Sequence, residues 1–198
     1  MSGTADRPGL QRDTIIATAR EMIIAGGVEA LSLRRLGRQL GVTAPALYAY
    51  VDDKQDLLRS IAEMELDGLA ARFEAVSDPD PIQRIRAHGR VYAEYARDNP
   101  EMFRVTLMDR SAIAENTFEE ANRLPATTQA FAVATRAVDE AIASGQIRAD
   151  DSRLVALTLW SAAHGVATVL QLGLGLPPEL EDAMIDEITD RILAGYRP

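Results

Sequence analysis

The chain has no cysteine among its 198 residues. Disulfides and thiolate-bound metals are therefore excluded. Histidine is almost as scarce, with His88 and His164 the only two. There is no H-E-x-x-H, no G-x-S-x-G and no phosphate-cradling glycine loop, so the chemistries that depend on those motifs lack their residues. Gly173 and Gly175 follow a helical pattern rather than a strand and form no dinucleotide fingerprint. Carboxylate neighbours such as Glu119-Glu120 and Asp150-Asp151 fall at surface or capping positions. No cofactor and no metal is expected, and an enzyme reading is rejected. The alternating pattern of a half-buried strand is missing too, as are internal repeats and low-complexity runs. No charged-then-apolar leader opens the chain; MSGTADRPGLQR has the composition of a disordered arm. The longest mildly apolar stretch, Leu154 to Leu176, is interrupted by His164, Gln171 and several glycines, and is not expected to span a membrane. The sequence predicts a soluble, cytoplasmic protein.

What is present is an apolar fraction of 47%, enough for a folded core. At this length the chain holds one large domain or two small ones. The net charge is −9, but it is unevenly divided. Residues 1–60 carry eight Lys/Arg against seven Asp/Glu, a net of +1, and residues 61–198 carry −10. An acidic remainder repels nucleic acid and leaves one surface able to dock.

That surface is coded between Leu31 and Leu58, LSLRRLGRQLGVTAPALYAYVDDKQDLL. Leu33, Leu36 and Leu40 share one face of a helix. Ser32 is a suitable N-cap, and Gly41 stands where a chain leaves a helix in the left-handed conformation. Val42 fills the gap, Thr43 caps a second helix, and Pro45 is tolerated in its first turn. Leu47 and Val51 form that helix's buried face. Helix, glycine turn and helix make a helix-turn-helix. Arg34, Arg35 and Arg38 lie opposite the leucines, and Lys54 opens the next helix. Thr43, Ala44, Ala46, Tyr48 and Tyr50 point outward. Small residues allow close approach to a groove, while cations and hydroxyls hold phosphates.

The stretch resembles the tetracycline-repressor (TetR) family of bacterial transcriptional regulators. The family pattern appears as Gly26-Gly27-Val28, Leu33 to Leu40, Gly41-Val42-Thr43, Leu47-Tyr48-Ala49-Tyr50-Val51, Lys54 and Leu57-Leu58, over about residues 10 to 60. The resemblance implies that Thr43, Tyr48 and Lys54 contact phosphates, and that Arg34, Ala44, Pro45, Ala46 and Tyr50 face base edges. Ala44 and Ala46 depart from the polar residues common early in the family's recognition helix, and can offer only methyl contacts.

The remainder reads as helical throughout. Residues 12–25 complete a three-helix core through Ile15, Ala19, Met22 and Ile23. A fourth helix, from about Lys54 to Val76, starts in this part and continues past it. Ser77 to Pro81 is a linker. Helices follow at Ile82 to Arg97, Met102 to Met108, about Glu115 to Ser144, a stretch capped by Asp150, and Leu180 to Leu193. The expected fold is all-α, with about nine helices. Residues 1–55 form the DNA-binding domain with its arm, and residues 56–198 form a helical bundle for ligand binding and dimerisation.

Two features of the bundle bear on partners. Small residues, among them Ser161, Gly165 and Thr168, concentrate on one long helix, and Leu180, Met184, Ile188 and Ile192 recur at steps of four on the last. Both seams suit another helix, either from this chain's own core or from a second copy. The resemblance favours the second copy, because these regulators dimerise through their final two helices; the dimer face would then include Gly165, Thr168, Met184, Ile188 and Ile192. Trp160 with His164-Gly165 also resembles the W-x-x-x-H-G signature of one branch of the family. Met64, Tyr92, Tyr95, Met102, Phe103, Met108, Phe131 and Trp160 are either ordinary core or the walls of an effector cavity with His164 as polar anchor. The resemblance implies a small-molecule effector, a homodimer and a palindromic operator in double-stranded DNA. The residues alone leave open an all-helical small-molecule binder without specific DNA recognition.

Overall fold

Aspartate starts three of the long helices. Asp53 accepts a hydrogen bond from the Asp56 backbone N–H, Asp80 from that of Ile82, and Asp151 from those of Arg153 and Leu154. Each satisfies first-turn donors that have no partner within the helix. The computed structural model describes residues 10–108, 125–149 and 151–198, and among them there is helix and no strand. In chain order the helices are α1 (Arg12–Gly26), α2 (Leu33–Leu40), α3 (Ala44–Leu47), α4 (Lys54–Glu74) and α5 (Pro81–Asp98). They are followed by α6 (Pro100–Phe103), α7 (Pro125–Ala143), α8 (Ser152–Leu170) and α9 (Pro178–Gly195). A 3₁₀ turn, Val28–Ala30, joins α1 to α2.

Several boundaries differ from those read in the sequence. The cap expected at Asp150 lies outside the described residues, and Asp151 caps α8. Residues 115–124 of the expected long helix also lie outside them; its described part is α7. The short helix expected at Met102 starts earlier, because Pro100 suits a first turn, and it passes from α-helix into a π-helical turn at Arg104–Met108.

One apolar core runs through both ends of the chain. It joins Ile15, Ile23, Leu36, Leu47, Leu57 and Ile61 to Tyr92, Phe103, Val166 and Ile185 without a break. A smaller cluster at the far end gathers Ile85, Val138, Ile147, Val155 and Leu193. Helix α4, 21 residues and so roughly 30 Å long, links these regions by packing against α1, α5 and α7.

Helix α8 corrects one expectation. The run from Leu154 to Leu176 was diluted by its glycines and Gln171, but the helix itself ends at Leu170. Over Ser152–Leu170 it is long and apolar enough, by length and composition, to cross a membrane, with a mean hydropathy of 1.3. It packs against α5, α7 and α9, and it buries Val155, Ala156, Ala163, Val166 and Ala167.

Helix α9 lies antiparallel along α5 behind a ladder of charge. Arg86 pairs with Asp190 at 2.6 Å, Arg90 with Asp186 at 2.6 Å and Arg97 with Asp182 at 3.0 Å. The buried row of α9 is Ile185, Thr189 and Leu193. This row is displaced by one residue from the stripe read in the sequence. Of that stripe, Leu180 is exposed, Met184, Ile188 and Ile192 are half-buried, and Met184 and Ile188 pack at the edge of the main core.

Candidate functional site

The helix-turn-helix is built by local rules. The Ser32 hydroxyl accepts from the Arg35 N–H at 3.3 Å and starts α2. Gly41 ends it with φ 70° and ψ 26°, and the Val42 N–H returns to the Gly37 carbonyl at 2.8 Å. Left-handed backbone of this kind favours glycine. Gly37 has a different reason. A Cβ there would lie 2.9 Å from the Val42 carbonyl oxygen and 3.2 Å from the Ala44 nitrogen. The two helices approach closely because position 37 has no side chain. Thr43 takes the extended N-cap conformation of α3, but its side chain makes no capping hydrogen bond. The hydroxyl thus remains on the outer face. Helix α3 is one turn long and buries Leu47.

Arg34, Arg35, Arg38, Thr43, Pro45, Ala46, Tyr48 and Tyr50 are exposed, and Ala44 is half-buried. Tyr48, at 58% exposure, stands furthest out of the large apolar side chains here. Arg34, Arg35 and Arg38 form no ion pair among the described residues, whereas Arg12 pairs with Asp56 at 3.4 Å. Lys54 is half-buried, and its Nζ donates to the Val28 carbonyl at 3.1 Å. That contact ties the start of α4 to the link after α1.

Buried polar contacts join this part to the bundle. Glu65 on α4 is buried; it accepts from the Tyr95 hydroxyl on α5 at 2.9 Å and from Arg20 on α1. Burial, followed by the neighbouring Glu65 carboxylate, pushes the Tyr95 hydroxyl well above its ordinary range. Arg12 extends the link by donating to the Tyr50 carbonyl at 3.2 Å and the Ser60 hydroxyl at 2.7 Å.

The expected pocket residues separate into groups. Tyr92 and Trp160 line a cavity of about 60 Å³ between α4, α5, α7, α8 and α9. Tyr95 and Phe103 are buried but do not line it; they pack on one another, with ring centroids 6.5 Å apart. His164 is half-buried; its Nδ1 is 2.8 Å from the Tyr92 hydroxyl, and its ring lies 5.2 Å from Trp160. Phe131 packs against the smaller core cluster. Met64 and Met108, at 38% and 41% exposure, stand at the surface.

Sequence reasoning did not pick out several of the cavity's other walls. Phe73, His88 and Thr189 line it, and His88 and Thr189 are buried polar residues. His88 Nε2 lies 3.2 Å from the Phe73 carbonyl, while Nδ1 is buried without a hydrogen-bond partner among the described residues. Desolvation holds the imidazole below its ordinary pKa. The sequence did carry a signal for His88, which is a polar residue on the apolar stripe of α5. Position 37 carried a weaker one, a glycine inside a helical pattern.

Of the expected dimer residues, Gly165 is exposed, and Thr168 is half-buried with its hydroxyl on the His164 carbonyl at 2.8 Å. Leu154, Leu157 and Trp160 also stand exposed on α8, at 59%, 46% and 42%. Among the described residues no cluster of three or more His, Asp or Glu side chains is arranged to hold a metal ion.

Residues 15–61 match the family described as bacterial regulatory proteins, tetR family. Residues 85–195 match the tetracyclin repressor-like C-terminal domain. The chain is 46% identical over 57 residues to the class C tetracycline repressor of Escherichia coli, a match covering 29% of this chain and 26% of the repressor. It is 25% identical over 188 residues to an uncharacterised HTH-type transcriptional regulator of Mycobacterium tuberculosis, covering 94% of this chain and 81% of that one. The structure superposes on that of a protein of unknown function from Rhodococcus sp. RHA1 with a TM-score of 0.83 and 26% identity, covering 99% and 100% of the two chains.

Proposed function

The chain belongs to the tetracycline-repressor family of bacterial regulators, and we propose that it is a homodimeric repressor released from a palindromic operator by a small-molecule effector. The observation that carries DNA binding is the outer face of α2 and α3. Three arginines without ion-pair partners among the described residues, an exposed Tyr48 and a free-standing Thr43 hydroxyl are grouped there on an otherwise acidic chain. Thr43, Tyr48 and Lys54 take phosphates in this reading, and Arg34, Ala44, Pro45, Ala46 and Tyr50 face base edges. Residues 1–55 dock on DNA, residues 56–198 bind the effector and the second copy, and the protein works in the cytoplasm. No catalysis is assigned to it.

Dimerisation supplies the second recognition helix, through Gly165 and Thr168 of α8 and Met184, Ile188 and Ile192 of α9. Exposed apolar residues on α8 beside that stripe support the assignment. The effector acts by binding the DNA-incompetent shape better than the competent one, since a ligand shifts an equilibrium only by its differential affinity. Coupling of roughly 1–3 kcal/mol per site is typical. Glu65, held between Arg20 and Tyr95, gives the bundle a direct grip on α1.

A gel shift with the DNA flanking the protein's own gene tests the reading. A retarded band that competitor DNA of unrelated sequence fails to remove is the expected result. Binding that unrelated DNA abolishes equally would sink the repressor and leave an all-helical small-molecule binder with an incidental basic face.

A further inference from the structure

The cavity beside Trp160 has walls that select their occupant. Among the described residues no Asp, Glu, Lys or Arg lines it, so an ionic group entering it would lose its hydration without a counter-charge from them. Most of the wall is hydrocarbon or aromatic, including Phe73, Ile85, Val138 and Leu159. Two buried polar side chains interrupt that surface, His88 at 7% exposure and Thr189 at 5%.

The protonation of His88 follows from its neighbours. The Phe73 carbonyl can only accept, so Nε2, 3.2 Å away, carries the proton. In a neutral imidazole Nδ1 is then an acceptor, and it is buried with no partner among the described residues. Burial favours that neutral form. An unpaired buried acceptor carries a desolvation penalty that a donor from a ligand would remove. Thr189 adds a hydroxyl to the same wall, able to donate to the ligand's oxygen.

From this we infer that the cavity takes a small, uncharged, largely apolar molecule bearing one hydroxyl, a phenol or compact alcohol, whose O–H donates to His88 Nδ1. The inference rests on the effector-responsive reading above and names the chemistry of its ligand. At about 60 Å³ the cavity holds less than a benzene ring needs. Trp160, at 42% exposure, is the wall with solvent behind it and gives way when the ligand enters.

The chain's single tryptophan makes the test direct. Phenol and toluene, which differ by a hydroxyl against a methyl, are titrated into the intact protein while Trp160 emission is followed, with benzoate as the anionic probe. Phenol should bind roughly tenfold tighter than toluene, as expected for one buried hydrogen bond, and benzoate should not bind. His88→Phe should remove the preference while still admitting toluene, and Thr189→Val should reduce it. Equal affinity of the wild type for phenol and toluene would overturn the assignment. So would a phenol preference that survives His88→Phe, or no emission change with any probe; Nδ1 would then hold an ordered water only. Operator binding measured in the same samples separates the two readings. A phenol site that obeys His88 but leaves operator affinity unchanged supports the site and removes its effector role. Operator release by a compound that leaves Trp160 emission unmoved overturns the site and keeps the repressor.

Discussion

Tyr95 donates its hydroxyl to Glu65 across 2.9 Å, and Arg20 holds the same carboxylate from the other side. Three helices, α5, α4 and α1, therefore meet on one buried acid. Tyr95→Phe keeps the ring packing and removes the donor. It should cost about 1.5–3 kcal/mol, the range for a hydrogen bond to a charged group. Urea denaturation gives the value, and the Arg20→Ala/Tyr95→Phe double variant should lose less than the sum of the singles because both act on one carboxylate.

Stability should fall at both ends of the pH scale, for identifiable reasons. Tyr95 is raised above its ordinary 10.0 by burial and then by Glu65. Its contribution is whole below pH 10 and is lost as pH rises beyond that. His88 and His164 are lowered from 6.5, in both cases chiefly by burial. Their contribution is whole above pH 6.5 and is lost as pH falls. Denaturation midpoints should drop from pH 8 to 5 for the wild type and drop less for His88→Phe, while a second series above pH 10 should show a shallower decline for Tyr95→Phe, the remainder belonging in part to buried Tyr92.

Gly37→Ala should damage the DNA-binding part selectively. The new methyl would stand 2.9 Å from the Val42 carbonyl, a backbone atom that cannot turn aside. Overpacking of this kind costs roughly 1–3 kcal/mol, and operator affinity should fall with it. Gly41→Asn is the control: among the described residues nothing lies within 4 Å of a Cβ there, and asparagine tolerates the left-handed backbone. Gel shifts of the two variants should differ clearly.

Contacts to DNA should sort by chemistry. Tyr48→Phe and Lys54→Ala should weaken binding to every sequence alike, because phosphates carry no sequence information. Lys54→Ala should also loosen the link it makes to Val28. Arg34→Ala should relax discrimination at one base pair by roughly 1–3 kcal/mol. An unchanged sequence preference in a binding-site selection would remove Arg34 from the base-reading set.

Ile188→Asp tests assembly. Ile188 is half-buried at the rim of the core rather than in it, so a charge there should spare folding while repelling a second copy. Sedimentation should report a monomer with normal helical content and poor operator affinity. The half-sites of the operator should lie about 10 bp apart or a multiple of it.

The helices were legible in the sequence because their signals are local. Ser32, Gly41 and the leucines of α2 fix their own neighbourhood, and the structure places each as its chemistry requires. The cavity was less legible because its lining comes from five helices. Tyr92 and Trp160 were recognisable as aromatics facing inward, but nothing near Phe73 or Thr189 in the chain indicates that they share a wall. The sequence places the cap of α8 at Asp150, one residue before the Asp151 that takes the role, since the two are chemically equivalent in sequence. It likewise places the inner row of α9 one residue off. Ile188 and Ile192 look as apolar as Ile185 and Leu193, and only the lie of α9 against α5 decides which set is covered.

That lie has a consequence for how α9 finds its place. The charged partners on α5 and α9 run in opposite directions, with Arg86 and Arg90 spaced by the same four residues as Asp190 and Asp186. Sliding α9 by one helical turn, roughly 5.4 Å, would bring Asp186 to Arg86 and Asp182 to Arg90. Two attractive pairs would re-form while Arg97 would lose Asp182, so charge separates the two alignments by one solvent-exposed pair. Shape separates them further. Ile185, Thr189 and Leu193 differ in size and branching, and only one alignment sets Ile185 and Thr189 against the bare backbone of Gly89. The ions draw the helices together, and the unequal side chains choose the alignment.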